Sequence, residues 1–347
     1  MNKLVRFLAM PVVMLLWAAC GEQDFLPERE DNSAVIHVSA APMTIVGEQV
    51  PYCGTRAFQP LRPEYENSIY SLTVLIFDVA EGVLRHFPAE DGQRKLYKYM
   101  NLKNEHGDGL LNTTLPTEDF PVVAGTEYMV CLIANFSEEQ VGEMISSMMD
   151  DGTVFFDEFK NYKVEMPYVL TPGEGEDEGL DAGHVRYIYM FGYYRGEVSS
   201  HDDITISLGR IISRLEIVFT FDESNLEKDK SLYVQLENLE QYAHLFPFGK
   251  SPGVYLEQGI YKVPTLDELK NSTIYLYAAP NSASEENDAL CLNMWYVSGN
   301  LSLAEVGALE PNAVIHLCND QPGVEDRNFQ LNRNSVYRFN LNLTTKE

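Results

Sequence analysis

Two stretches of this chain are apolar on both faces of an extended backbone: residues 68–79 (SIYSLTVLIFDV) and residues 127–134 (EYMVCLIA). A strand with one wet face alternates polar and apolar residues, so a strand without that alternation must be covered on both sides. Both stretches therefore belong at the centre of a sheet. Shorter β-branched and aromatic runs lie at 34–39, 204–208, 211–221, 232–236, 273–278, 290–297, 313–318 and 336–343, separated by Gly, Pro, Asn and Asp. Strands in such a series without intervening helices predict β-sandwiches. The period changes once, where Ser137-Glu138-Glu139-Gln140 forms a capping box and Val141, Met144, Ile145 and Met148 recur at helical spacing. That pattern predicts one amphipathic helix of about three turns, its Met-containing stripe facing a core. The expected fold class is mainly β: two β-sandwich domains in tandem, the first carrying one short helix. A chain of 347 residues is long enough for two cores.

The first residues carry a different signal. Lys3 and Arg6 precede an apolar run at 7–17, which ends in Ala18-Ala19-Cys20. The run is too short for a permanent membrane span, and basic flank plus small residues fit an export signal that is removed. A cysteine directly after the small pair resembles the bacterial lipoprotein signal, in which Cys20 would be acylated and become the new N-terminus. Trp17 stands near where that signal usually has Leu, with Leu16 one place earlier. Residues 1–19 are thus read as the signal, 20–33 as an acidic tether, 34–200 as the N-terminal domain and 201–347 as the C-terminal domain, with the polar break at 199–203 (SSHDD) as boundary. Stable anchoring to an outer membrane would follow from lipid on Cys20.

Charge narrows the partners. The formal charge is −27, and loss of residues 1–19, which hold Lys3 and Arg6 and no acid, takes it to −29. Such a field disfavours nucleic acid and anionic lipid surfaces. Apart from Cys20 the cysteines are Cys53, Cys131, Cys291 and Cys318, and export to an oxidising compartment permits pairing. Cys291 and Cys318 fall in two late strands and are the candidate disulfide; buried unpaired thiols are the other reading, and spacing does not choose among the three full pairings.

Recognisable reaction chemistry is missing from the pattern. There is no HExxH, GxSxG, P-loop or GxGxxG, and no CxxC or zinc spacing, so neither cofactor nor metal is expected and the chain reads as non-enzymatic. The acidic loop at 173–181 offers Glu174, Glu176, Asp177 and Asp181 as oxygen donors for calcium, but not in EF-hand order, and reads as a solvated loop. His201 next to Asp202 and Asp203 reads as a surface histidine, because adjacency in sequence is not catalytic geometry. The tyrosine-dense run at 186–195 (RYIYMFGYYR) is core if buried and a stacking surface for sugars if exposed; core is the default.

The order of these features resembles the fimbrillin family, the lipoprotein pilins of type V pili. The likeness runs over essentially the whole chain. It rests on the lipoprotein start, the strand at 34–39 followed by Gly54-Thr55-Arg56-Ala57, then Ile69-Tyr70-Ser71-Leu72-Thr73-Val74 with Phe77, and Tyr128-Met129-Val130 with Ile133-Ala134-Asn135. Later come Met190-Phe191-Gly192, Ile206-Ser207-Leu208-Gly209-Arg210 with Ser213-Arg214-Leu215, and Asn332-Arg333-Asn334 with Val336-Tyr337 and Phe339.

The resemblance implies two sandwich domains of transthyretin-like topology carried on the cell surface. It also implies that an arginine-specific protease cuts between Arg56 and Ala57, releasing the lipid and the first strand (Ala34, Val35, Ile36, His37, Val38, Ser39). The groove so opened would accept a donor strand from another pilus subunit. Shaft subunits continue past their last domain strand, whereas this sequence stops at Thr344-Thr345-Lys346-Glu347, so a tip or accessory subunit contributing to adhesion is expected. If Arg56 is not cut, the expectation becomes a base anchor, or a stand-alone surface lipoprotein that binds glycan or host protein.

Overall fold

In the computed structural model, which describes residues 33–42, 46–47, 68–88, 94–105, 109–111, 118–166, 188–199, 201–221, 230–247, 253–256, 259–262, 273–281, 283, 286–299, 301–317 and 330–343, the two doubly apolar stretches form adjacent strands. In chain order the first half comprises β1 (Ser33–Pro42), β2 (Val46–Gly47), β3 (Ser71–Asp78), β4 (Val83–Leu84), β5 (Lys98–Asn101), β6 (Glu118–Val123), β7 (Thr126–Ala134), helices α1 (Glu138–Met148) and α2 (Phe156–Lys160), β8 (Lys163–Glu165) and β9 (Met190–Val198). Then come β10 (His201–Arg210), β11 (Ser213–Phe221), β12 (Lys230–Glu237), β13 (Tyr242–His244), β14 (Tyr261–Lys262), β15 (Thr273–Ala278), β16 (Cys291–Ser298), α3 (Leu303–Gly307), β17 (Ala313–His316) and β18 (Ser335–Leu343).

An eight-stranded sheet runs β6-β1-β10-β9-β7-β3-β4, with β5 also on β3. As the two double-sided patterns require, β3 and β7 are both interior strands, with Val74 opposite Leu132 and Phe77 opposite Met129. The sheet curls. Leu72, Val74 and Ile76 of β3 and Tyr128, Val130 and Leu132 of β7 pack in one core with the inward residues of β1, β6 and β10. Leu75, Phe77, Met129, Cys131 and Ile133, on the opposite face, pack under Val141, Met144, Ile145 and Met148 of α1. Ser137 caps that helix with Gln140 in the reciprocal box, as its sequence predicts.

The curl is made possible by one glycine. Strand β9 pairs with β7 along its whole length but with β10 only at Met190–Arg210 and Phe191–Gly209. Beyond that point β10 crosses over β9, and a Cβ on Gly192 would strike the Ser207 carbonyl oxygen and lie 2.8 Å from Ile206 Cγ2. Only a residue without a side chain allows this approach.

The second half holds two four-stranded sheets, β2-β18-β11-β15 and β14-β12-β16-β17. Leu215, Ile217 and Tyr337 of the first meet Leu232, Val234, Leu236, Leu292 and Met294 of the second. On the outer face of the latter, α3 covers Tyr233 and Trp295, whose Nε1 donates to the Leu309 carbonyl at 2.9 Å. The core under α1 runs without a break into this half. Phe246 stands 4.8 Å from Phe191 and 5.7 Å from Phe159, ring centre to ring centre, and β8 pairs with β13.

Two features differ from the sequence reading. Residues 116–125, read as a turn-rich approach, contain β6; Pro121 is exposed there, and an edge strand tolerates a missing N–H. The Ser199 backbone N–H donates to Asp202 Oδ2 at 2.6 Å, and β10, which begins at His201, belongs to the first sheet. The pairing passes to the second half between Arg210 and Ser213. Helices α2 and α3 are too short to give a periodic signal.

Gly192→Ala is expected to cost about 2 kcal/mol, the usual range for forcing atoms into a filled space. Gly259→Ala, where an added Cβ meets nothing within 4 Å, should change stability by less than about 0.5 kcal/mol. Urea denaturation of both variants decides this, and equal midpoints would refute the close-approach argument.

Candidate functional site: the first strand in its groove

Strand β1 alternates strictly. Ala34, Ile36, Val38 and Ala40 are buried, while Val35, His37 and Ser39 are half-buried on the outer face. The inward four fill the core between Phe120 and Val122 of β6 and Ile204, Ile206 and Leu208 of β10. On one side β1 pairs antiparallel with β6, from Ser33–Val123 to Val38–Glu118; on the other it pairs parallel with β10, from Val35–His201 to Pro42–Leu208. The outer face shares that register, since Ser39 Oγ and Thr205 Oγ1 lie 3.0 Å apart. A strand from the start of the chain is thus an interior strand of the sheet. Among the described residues, β6 pairs with no strand other than β1.

Two contacts hold β6 independently. Its last residue, Val123, donates its N–H to Tyr128 Oη at 3.2 Å, and the buried Tyr128 also accepts from Arg85 Nη1 at 2.6 Å. Gly125, at φ 75°, then turns the chain from β6 into β7, and its N–H reaches the Val198 carbonyl at 2.8 Å. One wall of the groove is therefore pinned at its end. The opposite wall, β10, is continuous with the rest of the sheet.

Past Pro42 the segment reaches the second half, where β2 pairs parallel with the start of β18 at Ser335 and Val336. The junction between the two halves is latched by polar contacts. Arg210 Nη1 donates to Asn334 Oδ1 at 3.0 Å, the Asn334 N–H to the Ile212 carbonyl at 2.8 Å, and Ser213 Oγ to the Asn332 carbonyl at 2.7 Å. Arg333 donates to the Leu245 carbonyl at 2.9 Å, and burial pushes its guanidinium down to about 10, which still leaves it charged at neutral pH. Beside this, Glu216 is buried between two arginines: Oε1 accepts from Arg214 Nη2 at 2.6 Å and Oε2 from Arg338 Nε at 2.8 Å. A buried carboxylate between two guanidiniums is tolerated because each partner offsets the desolvation of the other.

The motif Ile133-Ala134-Asn135 has a similar physical basis. Asn135, buried at φ 71°, donates Nδ2 to the Ser68 and Ile188 carbonyls at 3.0 and 2.7 Å and accepts from the Tyr70 N–H at 2.8 Å. It ties the entry of β3 and the entry of β9 to the end of β7. Sequence periodicity could not reveal this hub, because its partners are 53 to 67 residues away.

Other expected site residues fall as follows. Cys20, Arg56, Ala57, Cys53, Cys318 and the loop 173–181 lie outside the described residues. Cys291 lies on β16, its thiol donating to the Ala289 carbonyl at 3.2 Å and standing 3.2 Å from His316 Nδ1. Cys131 is fully buried, which pushes its thiol well above the ordinary range. Hydrogen bonds from Ser199 hold the Asp202 carboxyl below its usual value. In the tyrosine-dense run Tyr189 and Tyr194 pack against the two cores, and Tyr193, 37% exposed, stands 5.2 Å from Phe246. Among the described residues no three His, Cys, Asp or Glu gather as a metal site, and no helix is long and apolar enough to cross a membrane.

No protein-family model and no curated protein matches this chain. Solved structures do. The tip fimbrial protein of Porphyromonas gingivalis, determined with a C-terminal truncation, superposes with a TM-score of 0.53 at 11% identity, over 91% of this chain and 96% of that one. A protein assigned to cell adhesion from Parabacteroides distasonis gives 0.52 at 14% identity, over 89% and 88%. At such identities what is shared is the fold, over nearly the full length of each chain.

Ile36→Asp places a carboxylate at a site that is 0% exposed, at an expected cost of several kcal/mol. Hydrogen exchange should then show β1 and β6 losing protection together while β3 and β7 keep theirs. Retained protection in β6 would show that β1 is not its support.

Proposed function

We propose that this chain is a structural subunit of a cell-surface fimbria, in a tip or accessory position, which accepts a strand from a neighbouring subunit. The observation that carries the reading is the interior strand β1, contributed by the start of the chain and flanked by β6 and β10. Its removal would leave two rows of backbone N–H and C=O groups and four apolar side-chain positions to be refilled. The fold shared with a fimbrial tip protein supports the assignment. In this reading lipid on Cys20 carries the protein to the outer membrane, and cleavage between Arg56 and Ala57 removes lipid, β1 and β2 together.

Intact mass and N-terminal sequencing of the protein from its native cell surface test the proposal. The expected product is a lipid-free chain that begins at Ala57. A triacylated chain beginning at Cys20 would overturn strand acceptance, in favour of a membrane-attached anchor or a stand-alone surface lipoprotein.

A further inference from the structure

An arginine drawn out of water is normally met by a carboxylate, because desolvation of an unpaired ion is costly. Arg214 and Arg338 follow that rule, sharing Glu216 at 2.6 and 2.8 Å, and Arg195 pairs with Glu127 at 2.8 Å. Arg333 departs from it. It is half-buried in the turn before β18, and among the described residues its guanidinium meets no carboxylate; its acceptor is the Leu245 carbonyl, 2.9 Å from Nη1. A guanidinium carries five N–H groups, so most of its donor capacity is unused at this latch. Burial alone lowers its proton affinity, with no facing acid to offset the effect.

The same stretch of chain leads to an exposed ring. Leu245 is followed by the buried Phe246, and the Tyr193 ring stands 5.2 Å from the Phe246 ring while remaining 37% exposed. Arg333 and Tyr193 thus both border Phe246 at the seam between the halves, the first through the carbonyl just before it and the second through its ring. We propose that this seam binds a single acidic sugar, whose carboxylate takes the unused N–H groups of Arg333 and whose apolar ring face stacks on Tyr193. The planar fork of an arginine matches a carboxylate with two parallel hydrogen bonds, and a tyrosine offers an apolar face with a polar tip. A carboxylate at this point offsets the desolvation that burial imposes on the guanidinium, which is the physical source of the affinity. The charge of the chain sets the size of the ligand. At a formal −27 the protein repels a long acidic polymer, whereas one sugar brings one charge to one guanidinium. The ligand class is therefore a carboxylated sugar at a chain end. This site is independent of strand acceptance, since neither Arg333 nor Tyr193 belongs to β1 or to the strands that flank it.

The test titrates the isotope-labelled full chain with methyl glucuronide and follows the Arg333 side-chain Nε–H and the Phe246 amide by NMR. Methyl glucoside serves as the neutral control and sulfate as the control for a simple anion. Methyl glucuronide is expected to move both signals saturably, and methyl glucoside neither. Loss of the charge-assisted pair in Arg333→Gln should weaken binding by about ten-fold or more, with Arg333→Lys between the two. Tyr193→Ser should weaken it by about three-fold or more, while Tyr193→Phe keeps it.

Arg333 also holds the Leu245 carbonyl, so the Tyr193 variants, altered at an exposed ring, carry the test should Arg333→Gln fail to fold. Equal shifts with sulfate and methyl glucuronide, both insensitive to Tyr193→Ser, overturn the sugar assignment. Unmoved Arg333 signals with either anion, or full binding by a folded Arg333→Gln, overturn the site itself. Each of these failures leaves strand acceptance standing.

Discussion

A strand inside a sheet is held on two sides, and everything in the first half of this molecule depends on which strand occupies that position. The occupant is β1, and it comes from the end of the chain rather than from the middle of a compact unit. Its four inward side chains are small or branched, and two of them are alanines. Burial of Ile36 and Val38 stabilises the strand by about 1.5–3 kcal/mol each, while the alanines add little. The larger part of its retention lies in the two hydrogen-bonded ladders, which any extended segment of suitable size can form. The site therefore recognises shape and backbone first and residue identity second.

The polar cluster at the junction plays the complementary part. Arg210, Ser213, Asn332 and Asn334 fix the end of β10 against the turn before β18, so the first sheet and the second are continuous at one point. The start of the chain contributes β1 to one sheet and β2 to the other. Phe246 and the β8–β13 pairing join the halves a second time, through a shared core. Two independent joints give the groove walls a frame that does not rely on β1. Only β6 lacks such support, and its tether through Tyr128 and Gly125 lies at one end.

How much of this was legible in the sequence follows from the range of the interactions. Residues 68–79 and 127–134 announced central strands because burial on both faces is a local pattern, and the α1 capping box announced its helix for the same reason. Strand β1 could be read from its own alternation. Its position could not, because neighbours at 118–123 and 201–208 leave no trace in 34–39. Pro121 disguised β6, a strand whose edge position makes proline acceptable. Asn135 and Asn334 stood in recognisable motifs, yet their roles depend on positive φ angles and on carbonyls far away in sequence.

If the chain is cut after Arg56, the thermodynamics of β1 change without any change in its contacts. While covalently joined, the strand competes at an effective concentration in the millimolar range, because a tether turns binding into an intramolecular event. Cutting removes that advantage, so the same segment at micromolar concentration is about a thousand-fold less able to hold its place. Contacts sufficient for an intact chain become insufficient for a fragment, and a neighbour's strand, delivered by its own folded domain, regains the local concentration that β1 has lost. Under this argument a modest first strand is a requirement, since a sequence rich in large apolar residues would stay in the groove after the cut. The small residues at Ala34 and Ala40 then serve one purpose: they keep the resident strand replaceable.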